Sequence, residues 1–256
     1  MMRQLIVPVL EIEEIAKATY QLDLEIEKSL LAQIKPGQFI HIRVNQGSEF
    51  MLRRPISVAD IDLSLNKLTV IFKVFGKGTD VLTHLKTGEL IDLLIPLGNG
   101  YPIESIEMEH ALLVGGGVGV PPLYYLAKSL VEKGIKVTTV IGFQTKDEIF
   151  YEKEFATLGE VFVTTDDGSY GTKGYVTDVL QHEELNFDYY FSCGPAPMLK
   201  AVKKYLHYFP GYISLEERMG CGIGACYACV VKSADGKDQK KICTDGPVFN
   251  ATEVMI

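Results

Sequence analysis

Residues 111–123 read Ala-Leu-Leu-Val-Gly-Gly-Gly-Val-Gly-Val-Pro-Pro-Leu, and this stretch sets the architecture. The apolar run Ala111-Leu112-Leu113-Val114, stopped by glycines, suits a strand buried on both faces. Pro121 and Pro122 suit the first turn of a helix, where a missing N–H leaves no intrahelical bond unmade. The glycines between them let a backbone approach a ligand closely, and the helix start offers free N–H groups, so a pyrophosphate fits the turn. The spacing is G-x-G-x-G-x-x-P, not the G-x-G-x-x-G of the common dinucleotide fingerprint. Taken alone, the motif leaves a glycine-rich turn that binds nothing as the alternative.

Further along the chain the same grammar repeats. Strands are expected at 111–114, 136–143, 161–164 and 189–193, with helices at 122–133, 146–158, 177–181 and 196–207. That alternation predicts a parallel-sheet nucleotide-binding domain. Ligands of open α/β sheets lie outside the carboxyl ends of the strands. Three loops converge on that edge: Gly115, Gly116, Gly117 and Gly119; Thr165-Asp166-Asp167-Gly168-Ser169; and Cys193-Gly194-Pro195. Asp166 or Asp167 would accept hydrogen bonds from a ribose 2′-OH and repel a 2′-phosphate, favouring NAD over NADP. A solvated Asp-Asp-Gly turn is the plain alternative for the acidic pair.

Towards the N-terminus, residues 1 to about 100 are β-rich. Runs at 20–26, 38–44, 56–60, 67–74 and 90–95 are separated by the turn signals Lys35-Pro36-Gly37, Asn45-Gln46-Gly47, Gly76-Lys77-Gly78 and Pro96-Leu97-Gly98-Asn99-Gly100. Strands at this spacing predict a small antiparallel barrel, with one short helix at 79–85. Arg53-Arg54-Pro55-Ile56-Ser57 precedes a strand there. Arg54 can contact a phosphate and Ser57 a flavin edge, although a basic turn at a barrel rim reads the same way.

Beyond the α/β segment come Cys221, Cys226, Cys229 and Cys243, spaced C-x4-C-x2-C-x13-C among Gly220, Gly222, Gly224 and Ala225. Three thiolates from one tight loop and a fourth from a later segment is the plant-type [2Fe–2S] spacing. Structural zinc more often shows two separated C-x2-C pairs, and inert buried thiols are the remaining alternative. A disulfide set would need an oxidising compartment.

Composition narrows the classes. A net charge of −8 over 256 residues argues against nucleic acid. An apolar share of 47% with 23% charged is that of a soluble globular protein. The most apolar stretch, 111–127, is broken by glycines and prolines and is no membrane span. No secretory leader is read at the start, so a cytoplasmic location is expected. His41, His84, His110, His182 and His207 show no ligand spacing and read as structural or surface residues.

Together these motifs resemble the ferredoxin–NADP reductase superfamily. The flavin motif there is usually R-x-Y-S; here it is Arg54-Pro55-Ile56-Ser57. The R-P-[IL]-S form resembles the electron-transfer subunits of class 1B dihydroorotate dehydrogenases. The similarity extends over residues 112–123, Thr165 to Gly171, Cys193-Gly194-Pro195, Leu215-Glu216-Glu217-Arg218-Met219-Gly220-Cys221-Gly222 and Asp245-Gly246-Pro247-Val248-Phe249. The resemblance implies three domains: an FAD-binding β-barrel (1–102), an NAD-binding α/β domain (103–214) and a [2Fe–2S] cluster domain (215–256). It implies FAD on Arg54, Pro55, Ile56, Ser57, Ile71, Phe72, Lys73, Gly78 and Thr79. NAD would lie on Gly115, Gly116, Gly117, Gly119, Asp166, Asp167 and Cys193, although Cys193 also reads as a packing thiol. Cys221, Cys226, Cys229 and Cys243 would ligate the cluster.

No side chain is implied as general acid or base, because flavin and nicotinamide carry the chemistry. The implied partner is an FMN-containing dihydroorotate dehydrogenase catalytic subunit, two copies of each chain, in pyrimidine biosynthesis. Electrons would pass singly through the [2Fe–2S] centre to FAD and leave as a hydride to NAD+. A flavin subunit of an NAD(P)H:ferredoxin or glutamate-synthase-like system shares the T-D-D-G-S loop and stays open. So does a zinc-stabilised binding module of no catalytic function.

Overall fold

The computed structural model describes residues 2–44 and 50–256; the turn read at Asn45-Gln46-Gly47 lies outside the described residues. The N-terminal half is β1 (Arg3–Ala16), β2 (Thr19–Glu25), α1 (Lys28–Leu31), β3 (Phe39–Ile42), β4 (Arg54–Asp62), β5 (Lys67–Lys73), α2 (Lys77–Leu82) and β6 (Leu90–Leu97). The six strands close antiparallel in the order β1-β2-β5-β4-β3-β6. Closure leaves no free edge, and the inward positions, among them Leu22, Leu24, Ile40, Leu68, Val70 and Leu93, fill the interior. Strand β1 was not among the runs read from the sequence. It pairs with β6 through Arg3–Pro8, then with β2 from Val9 onward, with a register shift between Val9 and Glu11. One strand thus turns the barrel's corner.

The α/β unit follows: β7 (His110–Gly116), α3 (Val120–Glu132), β8 (Lys136–Phe143), α4 (Glu152–Ala156), β9 (Glu160–Thr165), β10 (Thr172–Lys173), α5 (Val176–His182), β11 (Tyr189–Cys193), α6 (Ala196–Tyr205) and β12 (Gly211–Ser214). After it come the hairpin β13 (Val230–Lys232) and β14 (Gln239–Lys241), then β15 (Val248–Asn250). The large sheet runs β10-β9-β8-β7-β11-β12-β15. It is parallel as far as β12, and β15 joins antiparallel, Ile213 opposite Phe249. Alternate residues of β7 face opposite layers: Leu112 and Val114 one core, Ala111 and Leu113 the other. The nucleotide sheet therefore takes its last strand from beyond the cysteines, an edge that four-residue Gly211–Ser214 did not advertise.

The single helix expected at 146–158 is corrected. A 3-10 turn covers Lys146–Glu148, and α4 begins only at Glu152. Between them Tyr151 takes φ 63°, which breaks the helix. The break lets buried Phe150 reach Phe143 edge-on at 5.3 Å and Tyr151 reach Tyr124 at 4.8 Å. The Tyr151 hydroxyl also donates to Gln21 Oε1 of the barrel at 3.0 Å. Further ties join barrel to sheet: Lys128 Nζ to Asp60 at 2.6 Å, and the Tyr125 hydroxyl donating to the Ile34 carbonyl at 2.9 Å.

Candidate functional site

Two cavities meet where the barrel abuts the sheet. The first, of 460 Å³, is lined by Arg54, Pro55, Ile56 and Ser57 from β4, by Ile71, Phe72 and Lys73 from β5, and by Thr79. Its far wall is Val118, Pro247 and residues 215–219, two residues short of Cys221. Gly78 supports this wall from behind, because a Cβ there would run into the Arg54 guanidinium. The Arg54 side chain is held over that glycine by donating from Nη1 to the Leu52 carbonyl. All nine barrel residues singled out in the sequence are thus gathered at one place.

The second cavity, of 550 Å³, lies at the carboxyl ends of the parallel strands and includes Gly116, Gly117, Thr164, Asp166, Glu148 and Met198. Lys73, Phe75 and Val118 line both cavities, so the two adjoin there. Lys73 Nζ pairs with Glu148 at 2.8 Å across that boundary, tying β5 to the α/β unit.

Four sequence-selected residues stand behind this cavity instead of lining it. Gly115 packs under Val120 and Leu123. Gly119 lies against the Cys193 carbonyl and Gly194, with no room for a Cβ, which brings the start of α3 close to the end of β11. Cys193 is fully buried, and burial, then the charge of Glu216, pushes its thiol well above the usual range, against a hydrogen bond with Ser214. Asp167 accepts from the Ser169 hydroxyl at 2.6 Å and its N–H at 2.9 Å, which hold its carboxyl below the usual range. Asp166 behaves oppositely: burial, then the charges of Asp167 and Glu148, raise it. The acidic pair therefore splits into a turn-former and a cavity-facing carboxylate.

That split carries a test. Asp166→Ala is expected to lower the NADH-over-NADPH ratio of kcat/KM by about tenfold, the size of one partly screened charge pair. Asp167→Ala should leave the ratio within about twofold, because its carboxylate serves the turn. Equal ratios for wild type and Asp166→Ala would remove Asp166 from the specificity role.

Sequence reading missed Glu216, Glu148, Phe75 and Val118. Glu216 opens into the first cavity, yet surrounding protein raises its carboxyl by burial. The available signal was an acid directly after a buried strand end, Ser214-Leu215. Glu148 and Phe75 sit in turns, where charge and aromaticity carry no periodic signature.

The cysteine loop packs beside the first cavity. Cys229 and Cys243 are buried, while Cys226 is exposed. Backbone N–H groups of Ile223, Ala225 and Cys226 donate to Cys221 Sγ at 3.3–3.4 Å, and Gly224 N–H donates to Cys243 Sγ at 3.2 Å. Burial would raise the Cys221 thiol, but these donors outweigh it and bring its pKa down to about 7. Burial and a hydrogen bond with Cys229 push Cys243 up to about 11. Cys226 lies beside Cys221, and Cys243 feels both Cys229 and Cys221. Among the described residues no three or more His, Cys, Asp or Glu side chains close round one ion. Four thiols with N–H groups aimed at sulfur are the donor set an iron–sulfur centre would use, and Cys221, Cys226, Cys229 and Cys243 would hold it.

Underneath the loop lies His41 from β3, fully buried. Burial lowers its pKa to about 4, although the nearby Arg53 and Cys221 backbones pull weakly the other way. On the outer face, Lys241 Nζ sits 4.0 Å from the Tyr227 ring centroid.

Comparison with known proteins fits this arrangement. Residues 216–255 match the iron–sulfur cluster binding domain of dihydroorotate dehydrogenase B, and residues 113–204 match the oxidoreductase NAD-binding domain. Curated relatives from Bacillus cereus and Bacillus anthracis, both named dihydroorotate dehydrogenase B (NAD(+)), electron transfer subunit, are 50% identical over 95% of each chain. A solved NADH-dependent reduced ferredoxin-NADP oxidoreductase is 35% identical, with a TM-score of 0.86 over 97% of this chain and 89% of that one. The cytochrome b5 reductase domain of Ulva prolifera nitrate reductase shares the fold at 19% identity, with a TM-score of 0.67 over 80% of this chain and 93% of that one.

Proposed function

This chain belongs to the family of electron-transfer subunits of dihydroorotate dehydrogenase B, and from that membership we propose that it carries electrons from dihydroorotate, oxidised on an FMN-containing catalytic partner, to NAD+. One juxtaposition supports the reading most: the first cavity has the second cavity at one wall and the approach to the cysteine loop at another. That order, nucleotide then flavin then cluster, is the order an electron relay needs.

When bound, FAD supplies hydride exchange with NAD+ and one-electron exchange with a [2Fe–2S] centre, chemistry for which no side chain is equipped. The polypeptide holds and insulates. Arg54, Pro55, Ile56, Ser57, Ile71, Phe72, Lys73, Gly78 and Thr79 would hold FAD. Gly116, Gly117 and Asp166 would meet NAD directly, with Gly115, Gly119, Asp167 and Cys193 shaping the loops behind them. Cys221, Cys226, Cys229 and Cys243 would ligate the cluster. N–H groups at 223–226 offset negative charge on sulfur. The Lys73–Glu148 pair keeps the two cavities in register.

We place the domain limits at 1–102, 103–214 and 215–256, the third segment lending β15 to the second. Two copies of each subunit would form the complex. Five unpaired cysteines favour the cytoplasm, and no helix among the described residues is long and apolar enough to cross a membrane. The 35% identity to the ferredoxin-NADP oxidoreductase keeps a ferredoxin-linked role as the second reading, behind the 50% relatives.

Purified under exclusion of oxygen, the protein should show flavin bands and a broad visible shoulder, both bleached by NADH, with about two irons per chain. A colourless protein with stoichiometric zinc would overturn the reading. Failure to form a complex with the dihydroorotate-oxidising subunit would leave the ferredoxin role.

A further inference from the structure

His41 is fully buried, and among the described residues neither ring nitrogen makes a hydrogen bond of good geometry, although the Arg53 and Cys221 backbones lie near the ring. An imidazole always carries at least one N–H donor, and leaving it unmet in the interior costs about 1–3 kcal/mol. The ring is aimed at the cysteine loop. Gly222 has φ +71°, and a Cβ on it would stand 2.6 Å from His41 Nδ1. The loop can therefore lie on the ring only because residue 222 is glycine.

The same residue reaches the other way. Within the barrel, His41 is paired across β3 and β4 with Pro55, which lines the first cavity. Arg53 Nη1 donates to the His41 carbonyl at 3.3 Å and Nη2 to Asp92 at 2.9 Å, fixing that part of the strand. The remaining histidines are engaged elsewhere, with Asp80, Thr138, Asp178 and Lys204. His41 thus stands between the flavin motif and the cysteine loop, its ring making no hydrogen bond of good geometry among the described residues.

We propose that His41 donates its ring N–H to the sulfur shell of the bound cluster on the Cys221 side, and so sets the position and reduction potential of that centre relative to the flavin. The inference rests on the [2Fe–2S] reading above and adds a residue outside the cysteine motif to it. A donor to cluster sulfur stabilises the more negative, reduced state and raises the potential.

The test is a redox titration followed by electron paramagnetic resonance on the complete protein, for wild type, His41→Leu and His41→Gln. Leu removes the donor; Gln keeps an N–H. His41→Leu should shift the one-electron equilibrium between cluster and FAD about tenfold towards FAD, about 59 mV. His41→Gln should recover most of that shift, and NADH reduction of FAD should be unchanged in both. Wild-type protein labelled with [15N]histidine should show nitrogen hyperfine coupling to the reduced cluster. This second measurement decides the matter even if His41→Leu does not fold. An uncoupled cluster in the labelled wild type, or an unshifted potential in a folded His41→Leu protein, overturns the role of His41 alone. A wild type without iron overturns the cluster reading along with it.

Discussion

Cys226→Ser is expected to lower dihydroorotate-dependent NAD+ reduction, in the complex with the catalytic partner, by at least about 100-fold, the upper end of what disturbing a metal centre's shell costs. NADH-driven reduction of the bound FAD should stay within about twofold of wild type. The asymmetry follows from placement. Cys226 sits in the exposed part of the cysteine loop, beside Cys221, while the two cavities proposed for FAD and NAD meet at Lys73, Phe75 and Val118. A serine hydroxyl stays protonated where a thiolate ligand would be needed, so the four-thiol donor set would lose one member. Stopped-flow flavin bleaching and coupled turnover, measured on one preparation, check both halves. A variant that still couples dihydroorotate oxidation to NAD+ would sink the assignment of this loop as the electron route.

Arg54→Ala should weaken FAD binding by about 2–3 kcal/mol, about 30- to 150-fold, the loss of one or two charge-assisted hydrogen bonds. Arg54 is an exposed-cavity cation whose guanidinium rests on Gly78 and donates to the Leu52 carbonyl. Gly78→Ala leaves the charge in place and pushes the guanidinium aside, so an effect of about tenfold is expected from misplacement alone. Titrating flavin-free protein with FAD, by fluorescence quenching, gives both constants. Unchanged affinity in both variants would mean that the phosphates lie elsewhere in the cavity.

Strong local signals were legible before any coordinates. The strand–glycine–helix transition at 111–123, the alternation after it and the C-x4-C-x2-C spacing each follow from steric or ligand rules that act within a dozen residues. Nine barrel residues and three members of the nucleotide set lie at the two cavities, while the four thiols share one loop region without closing round a single ion among the described residues. What escaped depends on partners remote in sequence. The N-terminal residues alternate apolar and acidic, yet they form one strand, β1, whose two successive halves pair with different strands, and only the closed barrel shows this. The break at Tyr151 exists for contacts to Tyr124 and Gln21, residues 27 and 130 positions away. His41 read as a structural or surface residue, and the position of its ring shows only when the loop carrying Gly222 is laid over it.

Strand β15 bears on how the protein is made. A ribosome delivers the chain from the N-terminus, and earlier domains fold while later ones are still emerging. Here the sheet cannot close its β12 edge until Val248–Asn250 has appeared, and those residues come after all four cluster cysteines. The sheet's last strand and the four cysteines therefore belong to one segment, so the nucleotide sheet and the thiol loop are expected to be completed together.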